Sequence, residues 1–517
     1  MGGVAANYDA IVIGSGIGGM AAATRLSQKN RKVLVLEASD EFGGYTGPVV
    51  YGEYEFDFGI HYIGKLGIGD TFRVLLDELG LEDLAFIELD PERIEHYIFP
   101  DYEFKFCKGK EAFAERLISD FPGEENGIRH FLDTTEKVDL ATTPDEMAKG
   151  GLGSWLQFLW RHPHMLRLSR QSFQSFLDSI IRDQQLKTVL SALLYDVAVG
   201  PRQVSAATAM AVWGYYLNGA YYPKGGSRGI RDAFVGKLSS NGANLMHSSA
   251  VVFLTKKNGN WMVRTEHGEQ YSSRIVVSSV DPKITICSLL DRKLAPPGAY
   301  KKANYLQPSS SILSVYIGTD LDLIDMGFTT GNIAYFSDWD LTPMYDAWSG
   351  KTMPQMERGY FINSPSVRDP GAGLAPEGHH TLQILSGWSY ESVGKWATMD
   401  DDAQREEYDL YKKEKCNQAI RLAERHVKGL SDHVSIVECI TPLDCEKRVR
   451  AVRGGIYGPA HIASQMGPGR FQSLECGVEG LYLAGAGTFG AGLLFCAASG
   501  FYAAEKGLAY LERLNRQ

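Results

Sequence analysis

Two apolar runs near the N-terminus enclose a glycine-rich turn and a stretch of small residues. The runs extend from Ala10 to Ile13 and from Val33 to Leu36, and Gly14, Gly16 and Gly19 lie between them. A short apolar run, a glycine turn, a small-residue segment and a second apolar run predict strand, turn, helix and strand in that order.

The spacing of these glycines predicts a dinucleotide site. Gly14 permits a tight turn, Gly16 lets the backbone approach a pyrophosphate, and Gly19 lets the helix pack close to the strand. The helix N-terminus directs free N–H groups and a positive dipole end toward the phosphates. Glu37 closes the second run, where its carboxylate can accept hydrogen bonds from a ribose hydroxyl.

A second glycine pair and an aromatic segment follow. The doublet Gly43–Gly44 lies just past the second run and suggests a longer dinucleotide, because glycine lets a backbone pass close to a bulky ligand. Alternating aromatic residues in YGEYEFDFGIHYIG, Tyr51 to Gly64, predict a short strand ending in His61 and Tyr62. These two side chains are typical of a site lining, although His61 buried within the core is the alternative.

The next part of the chain, residues 70–215, is predicted to be largely helical. Examples are Thr71 to Leu79, Lys110 to Asp120 and Gln184 to Ala198. The segment from Gly153 to Asp183 combines Trp, Phe and Leu with interleaved arginines, which is the composition of a helix pair that meets lipid or caps an apolar channel. Amphipathic helices packed on their own domain are the alternative.

Further on, the pattern alternates between short strands and helices. Turns at Asn258–Gly259 and His267–Gly268 predict a small antiparallel excursion. Residues 300–465 carry many short strands, which we interpret as a mixed sheet, and a helix from Asp402 to His426. Gly480 to Ala504 lacks charged residues and is long enough to span a bilayer. Its six glycines favour a buried strand, loop and helix instead.

Bulk properties narrow the function classes. With 517 residues the chain is expected to form two domains. The net charge of −10 and the lack of a basic tract argue against nucleic-acid binding. The seven cysteines are scattered without a CxxC pair, so no metal site is predicted. The odd cysteine count and an N-terminus that runs almost directly into the first strand favour a reducing, cytoplasmic location.

Several segments together resemble the phytoene desaturase-like flavoprotein oxidoreductases, which include carotenoid desaturases, carotenoid isomerases and retinol saturases. The resemblance extends from end to end, and it is carried by GSGIGGMAAATRL, EFDFGIHYIG, FPGEENGIRHF, YYPKGGSRGI, SPSVRDPGAGLAPEGHH and GLYLAGAGTFGAG. The last motif is similar to the flavin motif of the desaturases.

The resemblance implies an α/β fold with a discontinuous Rossmann-type domain that binds FAD non-covalently. This domain would comprise residues 1–70, 216–290 and 466–517. An α+β substrate domain with a mixed sheet and a helical cap would comprise residues 71–215 and 291–465.

It also implies where FAD and substrate bind. Gly14, Gly16, Gly19 and Glu37 would hold the AMP half, and Gly43 and Gly44 would lie near the phosphates and flavin. The other implied cofactor contacts are Ile17, Ala38, Tyr45, Val251, Val252, Gly485, Ala486, Gly490, Gly492 and Leu493. Candidates for a proton or charge role are His61, Tyr62, Lys65, Tyr222 and Lys224.

The implied activity is desaturation, saturation or isomerisation at the carbon–carbon double bonds of a long lipophilic polyene, isoprenoid or fatty-acyl substrate. Tyr45 stands where many relatives have a basic residue, and Gly487 stands where many saturases have an acid. The direction of the reaction, saturation or desaturation, therefore stays open. No second nucleotide fingerprint is present, so an external electron donor or acceptor is expected unless the reaction is redox-neutral. A peripheral membrane contact is a further expectation. The rivals are a flavin amine oxidase and a non-enzymatic prenyl-lipid binder of the Rab GDP-dissociation inhibitor type.

Overall fold

A computed structural model describes residues 6–149, 157–158 and 160–516. The helices span Ile17–Gln28, Thr71–Glu78, Lys110–Asp120, Glu125–Ala141, Pro144–Ala148, Pro163–Arg170, Phe173–Ile180, Gln184–Ala192, Ala206–Tyr216, Gly226–Ser240, Pro282–Ile284, Pro297–Tyr305, Thr342–Trp348, Pro365–Arg368, Asp402–Ala423, Pro442–Val449 and Leu493–Arg516. The strands span Ala6–Ile13, Val33–Leu36, Pro48–Tyr51, Tyr54–Asp57, Ile63–Gly64, Phe86–Glu88, Glu95–Ile98, Glu103–Phe106, Ala220–Pro223, Asn244–Met246, Val251–Lys257, Asn260–Thr265, Gln270–Ser278, Ser311–Thr319, Asn332–Phe336, Gly359–Asn363, His380–Trp388, Val434–Ile440 and Leu481–Leu483.

The first sheet is built around the strand Ala6–Ile13, whose apolar residues are buried on both faces. This strand pairs in parallel with Val33–Leu36 on one side and with Gln270–Ser278 on the other. The strand Leu481–Leu483 also joins in parallel, so both ends of the chain meet in one sheet. A parallel sheet with helices on its faces is the expected Rossmann-type arrangement.

The antiparallel excursion predicted around the two glycine turns is confirmed. Strand Asn260–Thr265 pairs antiparallel with Val251–Lys257 and with the first half of Gln270–Ser278. The second half of Gln270–Ser278 continues into the parallel part of the sheet. One long strand therefore links the excursion to the cofactor domain.

The second sheet is mixed, as predicted. Its strand order is Val434–Ile440, Ser311–Thr319, His380–Trp388, Gly359–Asn363, Asn332–Phe336, Glu95–Ile98 and Glu103–Phe106. Asn332–Phe336 and Glu95–Ile98 pair in parallel, and the other neighbours are antiparallel. The helix Asp402–Ala423 covers one region of this sheet, and helices between residues 110 and 216 pack over its far end.

The middle of the chain is largely helical, as predicted, but it also contains short strands that the sequence did not indicate. Residues 70–215 are not uniformly helical, because strands Phe86–Glu88, Glu95–Ile98 and Glu103–Phe106 interrupt the helices. Tyr97, Phe104 and Phe106 are buried. A sheet partner far along the chain, Asn332–Phe336, completes this edge, which local sequence cannot reveal.

The segment from Gly153 to Asp183 is only partly covered, since residues 150–156 and 159 lie outside the described residues. The remainder contains helices Pro163–Arg170 and Phe173–Ile180. The glycine-rich segment from Gly480 to Ala504 forms a buried strand, a loop and the start of a helix, as predicted. Among the residues that the structure describes, no helix is both long and apolar enough to cross a membrane.

Candidate cofactor and substrate site

The first strand ends in a turn that leaves space for a ligand. Gly14 has a φ of +88°, in the left-handed region that favours glycine. A Cβ on Gly19 would lie 1.9 Å from the Gly14 carbonyl oxygen, so only glycine allows the helix to lie against this turn. A Cβ on Gly16 would meet only Ser279 Oγ, at 4.0 Å, so protein atoms leave the space beside Gly16 open. This turn fits a pyrophosphate placed at a helix N-terminus.

Ser15 and Glu37 connect the turn to the neighbouring segments. The backbone N–H and the hydroxyl of Ser15 donate to Glu37 Oε2 at 2.7 and 2.6 Å. The N–H of Gly43 donates to Ser15 Oγ at 3.0 Å. Gly43 and Gly44 have φ values of +112° and +56°, which bring this second glycine pair next to the first turn.

The excursion strand begins beside Glu37. The Ser249 N–H donates to the Glu37 carbonyl oxygen at 2.7 Å, and a β-bulge follows between Val251 and Phe253. The Val252 side chain is 40% exposed. The structure therefore places Val251 and Val252 in the neighbourhood of the acid, where the resemblance expects an adenine.

The C-terminal glycine loop reaches the same place from the other end of the chain. A Cβ on Gly18 would lie 2.8 Å from the Gly485 backbone nitrogen. Gly490 and Gly492 have φ values of +156° and +92°, and the helix Leu493–Arg516 starts directly after them. A Cβ on Gly492 would meet no protein atom within 4 Å, so this helix N-terminus also faces open space. Both openings fit the two ends of an extended dinucleotide such as FAD.

A cavity of about 380 Å³ adjoins the C-terminal glycine loop. Its walls come from the loop, from the segment containing His61, and from the helical cap. Most of the wall is apolar, and representative lining residues are Ile60, Met147, Phe158, Met165, Leu166, Val197, Val212, Phe489, Leu493 and Phe495. The geometry suits an apolar molecule held against whatever the glycine loop binds.

His61 lies deep in the molecule with one face toward this cavity. The Arg368 guanidinium donates to the His61 carbonyl oxygen. Burial first, and then the nearby Arg368 charge, lower the pKa of His61 to about 3. The imidazole is therefore neutral at physiological pH.

Tyr62 faces the same cavity and forms a hydrogen bond with a carboxyl group. Its hydroxyl donates to Asp196 Oδ2 at 2.7 Å and lies 3.3 Å from the Tyr195 hydroxyl. Its ring packs 4.5 Å from the Tyr216 ring, measured between centroids. Tyr62 and His61 are thus the two candidates for chemistry that the structure brings together.

The other three candidates lie off the cavity wall as the structure describes it. The Lys65 ammonium donates to Asp139 Oδ2 at 2.6 Å. The buried Tyr222 hydroxyl donates to Asp57 Oδ2 at 2.7 Å, in a contact that joins the strand Tyr54–Asp57 to Ala220–Pro223. Lys224 is exposed.

Sequence reasoning missed Asp196, Tyr457, His461 and Arg470. Asp196 is the one charged residue between Val189 and Gly200, and this isolation in an apolar run was the available signal. The Ala491 N–H donates to His461 Nε2 at 3.2 Å. Buried Arg470 donates to the carbonyls of Pro459 and Ala486, so it joins the segment before it to the glycine loop.

The chain is similar to enzymes that act on polyenes. It is 26% identical over 473 residues to all-trans-retinol 13,14-reductase of Danio rerio, covering 88% of this chain and 78% of that protein. It is 27% identical over 514 residues to prolycopene isomerase 2, chloroplastic, of an Oncidium hybrid cultivar, covering 97% of this chain and 84% of that protein. These two relatives confirm the resemblance to the phytoene desaturase-like group.

A solved structure shows the fold, and a family model shows the cofactor. A putrescine oxidase triple mutant redesigned in its cofactor binding has a TM-score of 0.65, with 99% of each chain covered and 13% identity, which shows the fold alone. Residues 17–408 match the family model described as "Flavin containing amine oxidoreductase", which confirms the expected flavin. The chain therefore belongs to the flavin-containing amine oxidoreductase family.

Proposed function

We propose that this protein is an FAD-dependent oxidoreductase that acts on carbon–carbon double bonds of a long lipophilic polyene or isoprenoid. The observation that carries this function is the apolar cavity beside the C-terminal glycine loop. An apolar, water-poor cavity is what a hydrocarbon substrate requires, because it buries the substrate surface and excludes competing reactions. The similarity to a retinol reductase and a prolycopene isomerase supports the same substrate class.

The residues that would hold FAD come from three separated parts of the chain. Gly14, Gly16, Ile17 and Gly19 would hold the pyrophosphate, with Glu37, Ala38, Val251 and Val252 around the ribose and adenine. Gly43, Gly44 and Tyr45 would lie between this end and the flavin. Gly485, Ala486, Gly490, Gly492 and Leu493 would receive the flavin end, where backbone N–H groups and the helix N-terminus favour negative charge. Bound FAD supplies the exchange of a hydride with a substrate carbon.

Among the candidate catalytic residues, geometry favours His61 and Tyr62. Both contact the cavity, whereas Lys65 and Tyr222 are engaged in buried or half-buried hydrogen bonds elsewhere. A neutral His61 can orient substrate or cofactor through its ring N–H, but without the imidazolium form it is not a general acid near pH 7. We assign Lys65, Tyr222 and Lys224 to supporting the architecture around the site.

The proposed function includes the three reactions that the resemblance implies. Desaturation needs an external acceptor such as a quinone or oxygen, saturation needs an external donor, and isomerisation is redox-neutral. The substrate would enter from a membrane surface, because exposed apolar side chains flank the cavity lining. Trp160 is 83% exposed, and Leu166 and Leu140 are also exposed near the lining residues Phe158 and Ala141.

An amine oxidase activity is less well supported. The lysine on the cavity wall, Lys149, donates to Glu146 at 2.7 Å, so its ammonium is paired at the rim. The likeness to putrescine oxidase is limited to the fold. A Rab GDP-dissociation inhibitor type of binder is not supported, since the family is flavin-containing.

Conversion of defined substrates by purified, FAD-loaded protein tests this function. All-trans-retinol and prolycopene would be supplied in detergent or vesicles, once with dithionite-reduced flavin and once with oxidised flavin and a quinone. We expect a change in double-bond number or geometry, measured by chromatography and mass spectrometry. Putrescine serves as the amine substrate. Oxidation of putrescine without conversion of either polyene would establish an amine oxidase instead. A colourless preparation, which lacks flavin, would contradict both the amine oxidase and the polyene oxidoreductase.

A further inference from the structure

Asp196 has an unusual position at the wall between two cavities. It lies in the short turn Leu193–Val197 after the helix Gln184–Ala192, and its neighbours in sequence are apolar. It lines the main cavity and also a smaller one of about 70 Å³, and His61, Tyr62 and Tyr457 are shared by both linings. A carboxyl group at this point can touch a substrate in the main cavity.

A chain of hydroxyl groups runs from Asp196 into the interior. Tyr62 donates to Asp196, and the Tyr195 hydroxyl lies 3.3 Å from that of Tyr62. Beyond them is Glu95, which is fully buried and accepts a hydrogen bond from Asn332 through Oε1 at 2.7 Å. Glu95 Oε2 has no hydrogen-bond partner within normal distance among the described residues, and the Tyr195 and Tyr62 hydroxyls are the neighbouring groups that act on the Glu95 carboxyl as hydrogen-bond donors.

The charges around this network favour an exchangeable proton. Burial raises the pKa of Asp196 to about 7, and hydrogen bonds from Tyr62 and Tyr216 oppose the rise. Burial, together with Asp196, raises the pKa of Glu95 to about 8. A carboxyl group that titrates near the working pH is suited to giving and taking protons.

We propose that Asp196 is the catalytic proton donor and acceptor for the reacting double bond, and that Tyr62 and Glu95 resupply its proton. This role rests on the proposed function. In saturation, bound FAD would supply the hydride that one alkene carbon gains, and the Asp196 carboxyl would give the proton that its neighbour gains. The π bond would break and two C–H bonds would form. Asp196 would regain its proton from Glu95 through Tyr62, and water that enters the cavity after the product leaves would return a proton to this network.

In desaturation the two transfers would be reversed: bound FAD would accept the hydride that one carbon loses, and the Asp196 carboxylate would accept the proton from the neighbouring carbon. In isomerisation the proton is delivered and returned, so the substrate gains and loses nothing. His61 faces the same space, but its low pKa keeps it out of the imidazolium form, so it is not a general acid near pH 7.

The groups that face Asp196 are nearly all neutral at physiological pH. The ionisable groups around it are Tyr62, Tyr195, Tyr216, Tyr345, Tyr457 and Glu95. The buried cation Arg368 donates to the His61 and Thr330 carbonyl oxygens and to Asn332, and no cation is among the causes of the Asp196 pKa shift. The titration of Asp196 is therefore set mainly by burial, which the hydrogen bonds from Tyr62 and Tyr216 oppose.

The test compares Asp196→Asn, Tyr62→Phe and Glu95→Gln with wild type, all purified with FAD bound. Asp178→Asn is the matched control, because Asp178 is a carboxylate that pairs with Lys187 on the helical cap, away from the cavity lining. Conversion of all-trans-retinol and prolycopene is measured from pH 5 to pH 9, together with deuterium uptake from D₂O by the product. Infrared spectra of the same proteins follow the protonated carboxyl C=O band without substrate.

We expect Asp196→Asn to lower kcat by roughly 10²–10⁴ with KM changed little, to abolish deuterium uptake, and to keep flavin binding. The carboxyl band should disappear between pH 6 and pH 8 in wild type, and the variant should lack this titration. Tyr62→Phe and Glu95→Gln should show smaller losses of kcat, and Asp178→Asn none.

Two results would count against Asp196 in different ways. Retention of kcat within twofold in Asp196→Asn, with the wild-type pH profile, would overturn its role alone. A wild-type protein that converts neither polyene would defeat the proposed function and this role with it, whatever the infrared titration shows.

Discussion

Ser15 joins three separated pieces of the cofactor site through one small side chain. It donates to Glu37, accepts from Gly43 and lies in the turn between Gly14 and Gly16. Its position between two glycines was visible in the sequence, but its hydrogen bonds were not, because Glu37 and Gly43 approach it only in the folded chain. Ser15 therefore holds three segments together by hydrogen bonds, a function that the glycine motif around it does not specify.

Gly16→Val should abolish FAD binding while the fold is kept. The added side chain would enter space that protein atoms leave open beside Gly16, in the path proposed for the pyrophosphate. Flavin content per protein, read from the absorption spectrum, measures the effect. Gly298→Val is the control, since a Cβ on Gly298 also meets no protein atom within 4 Å. Stoichiometric flavin in Gly16→Val would show that this turn has been assigned wrongly.

His61 should lower the free energy of unfolding at acidic pH. Its pKa is about 3 in the folded state against an ordinary value near 6.5, so the unfolded chain binds a proton first as the pH falls. Stability is then lost from about pH 6.5 downward until the folded pKa is reached. At pH 5 this amounts to at most about 2 kcal/mol.

His61→Gln should remove this part of the pH dependence. The midpoint of thermal unfolding at pH 7 and pH 5 measures it, and the exposed His267→Gln serves as the control. Equal losses on acidification in wild type and His61→Gln would contradict a neutral, buried imidazole.

At the scale of elements, two glycines let the first and last helices meet. The helix Ile17–Gln28 packs against Leu493–Arg516, and a Cβ on Gly500 would lie 1.9 Å from the Gly18 carbonyl oxygen. The same contact brings Gly485 to the N-terminus of the first helix. The closeness of these helices therefore fixes the distance between the two glycine loops of the site.

Gly500→Val should destabilise the protein and also weaken FAD binding. The side chain meets backbone, which cannot rotate away, so we expect a cost of about 3 kcal/mol and a lower midpoint of thermal unfolding. Gly236→Val is the matched control, because Gly236 also lies within a helix and a Cβ there meets nothing within 4 Å. If Gly500→Val unfolded at the same temperature as wild type, the close contact between the two helices would not be needed for stability.

For the whole molecule, the cavity, the helical cap and the exposed apolar side chains point to one approach for a lipid substrate. Trp160→Ser with Leu166→Ser should reduce binding to phosphatidylcholine–phosphatidylglycerol vesicles, because less apolar surface then enters the bilayer. Sedimentation with vesicles measures binding, and Leu410→Ser, an exposed leucine on the helix Asp402–Ala423, is the control. Equal sedimentation of all variants would contradict the proposal that the substrate enters the cavity from a membrane surface.

The amino-acid sequence determined the features that depend on neighbours along the chain. The strand–turn–helix at Gly14, the excursion at Asn258–Gly259 and the helix after Gly492 each carry their signal within a few residues, through glycine conformation and apolar periodicity. These local signals were enough to predict a dinucleotide-binding domain and a mixed-sheet second domain, and the resemblance of the motifs to the phytoene desaturase-like family identified the dinucleotide as FAD.

Only the tertiary structure decided which side chains share the cavity. Asp196 and Tyr62, which line it, lie far apart in the sequence, and Lys65 and Tyr222, which are close to the motifs, contact Asp139 and Asp57 instead. Proximity in a site depends on which sheet edges and helices pack together, as in the pairing of Glu95–Ile98 with Asn332–Phe336. That packing is set by burial of apolar surface over the whole chain, and burial is also what shifts the pKa values of the carboxyl groups that it encloses.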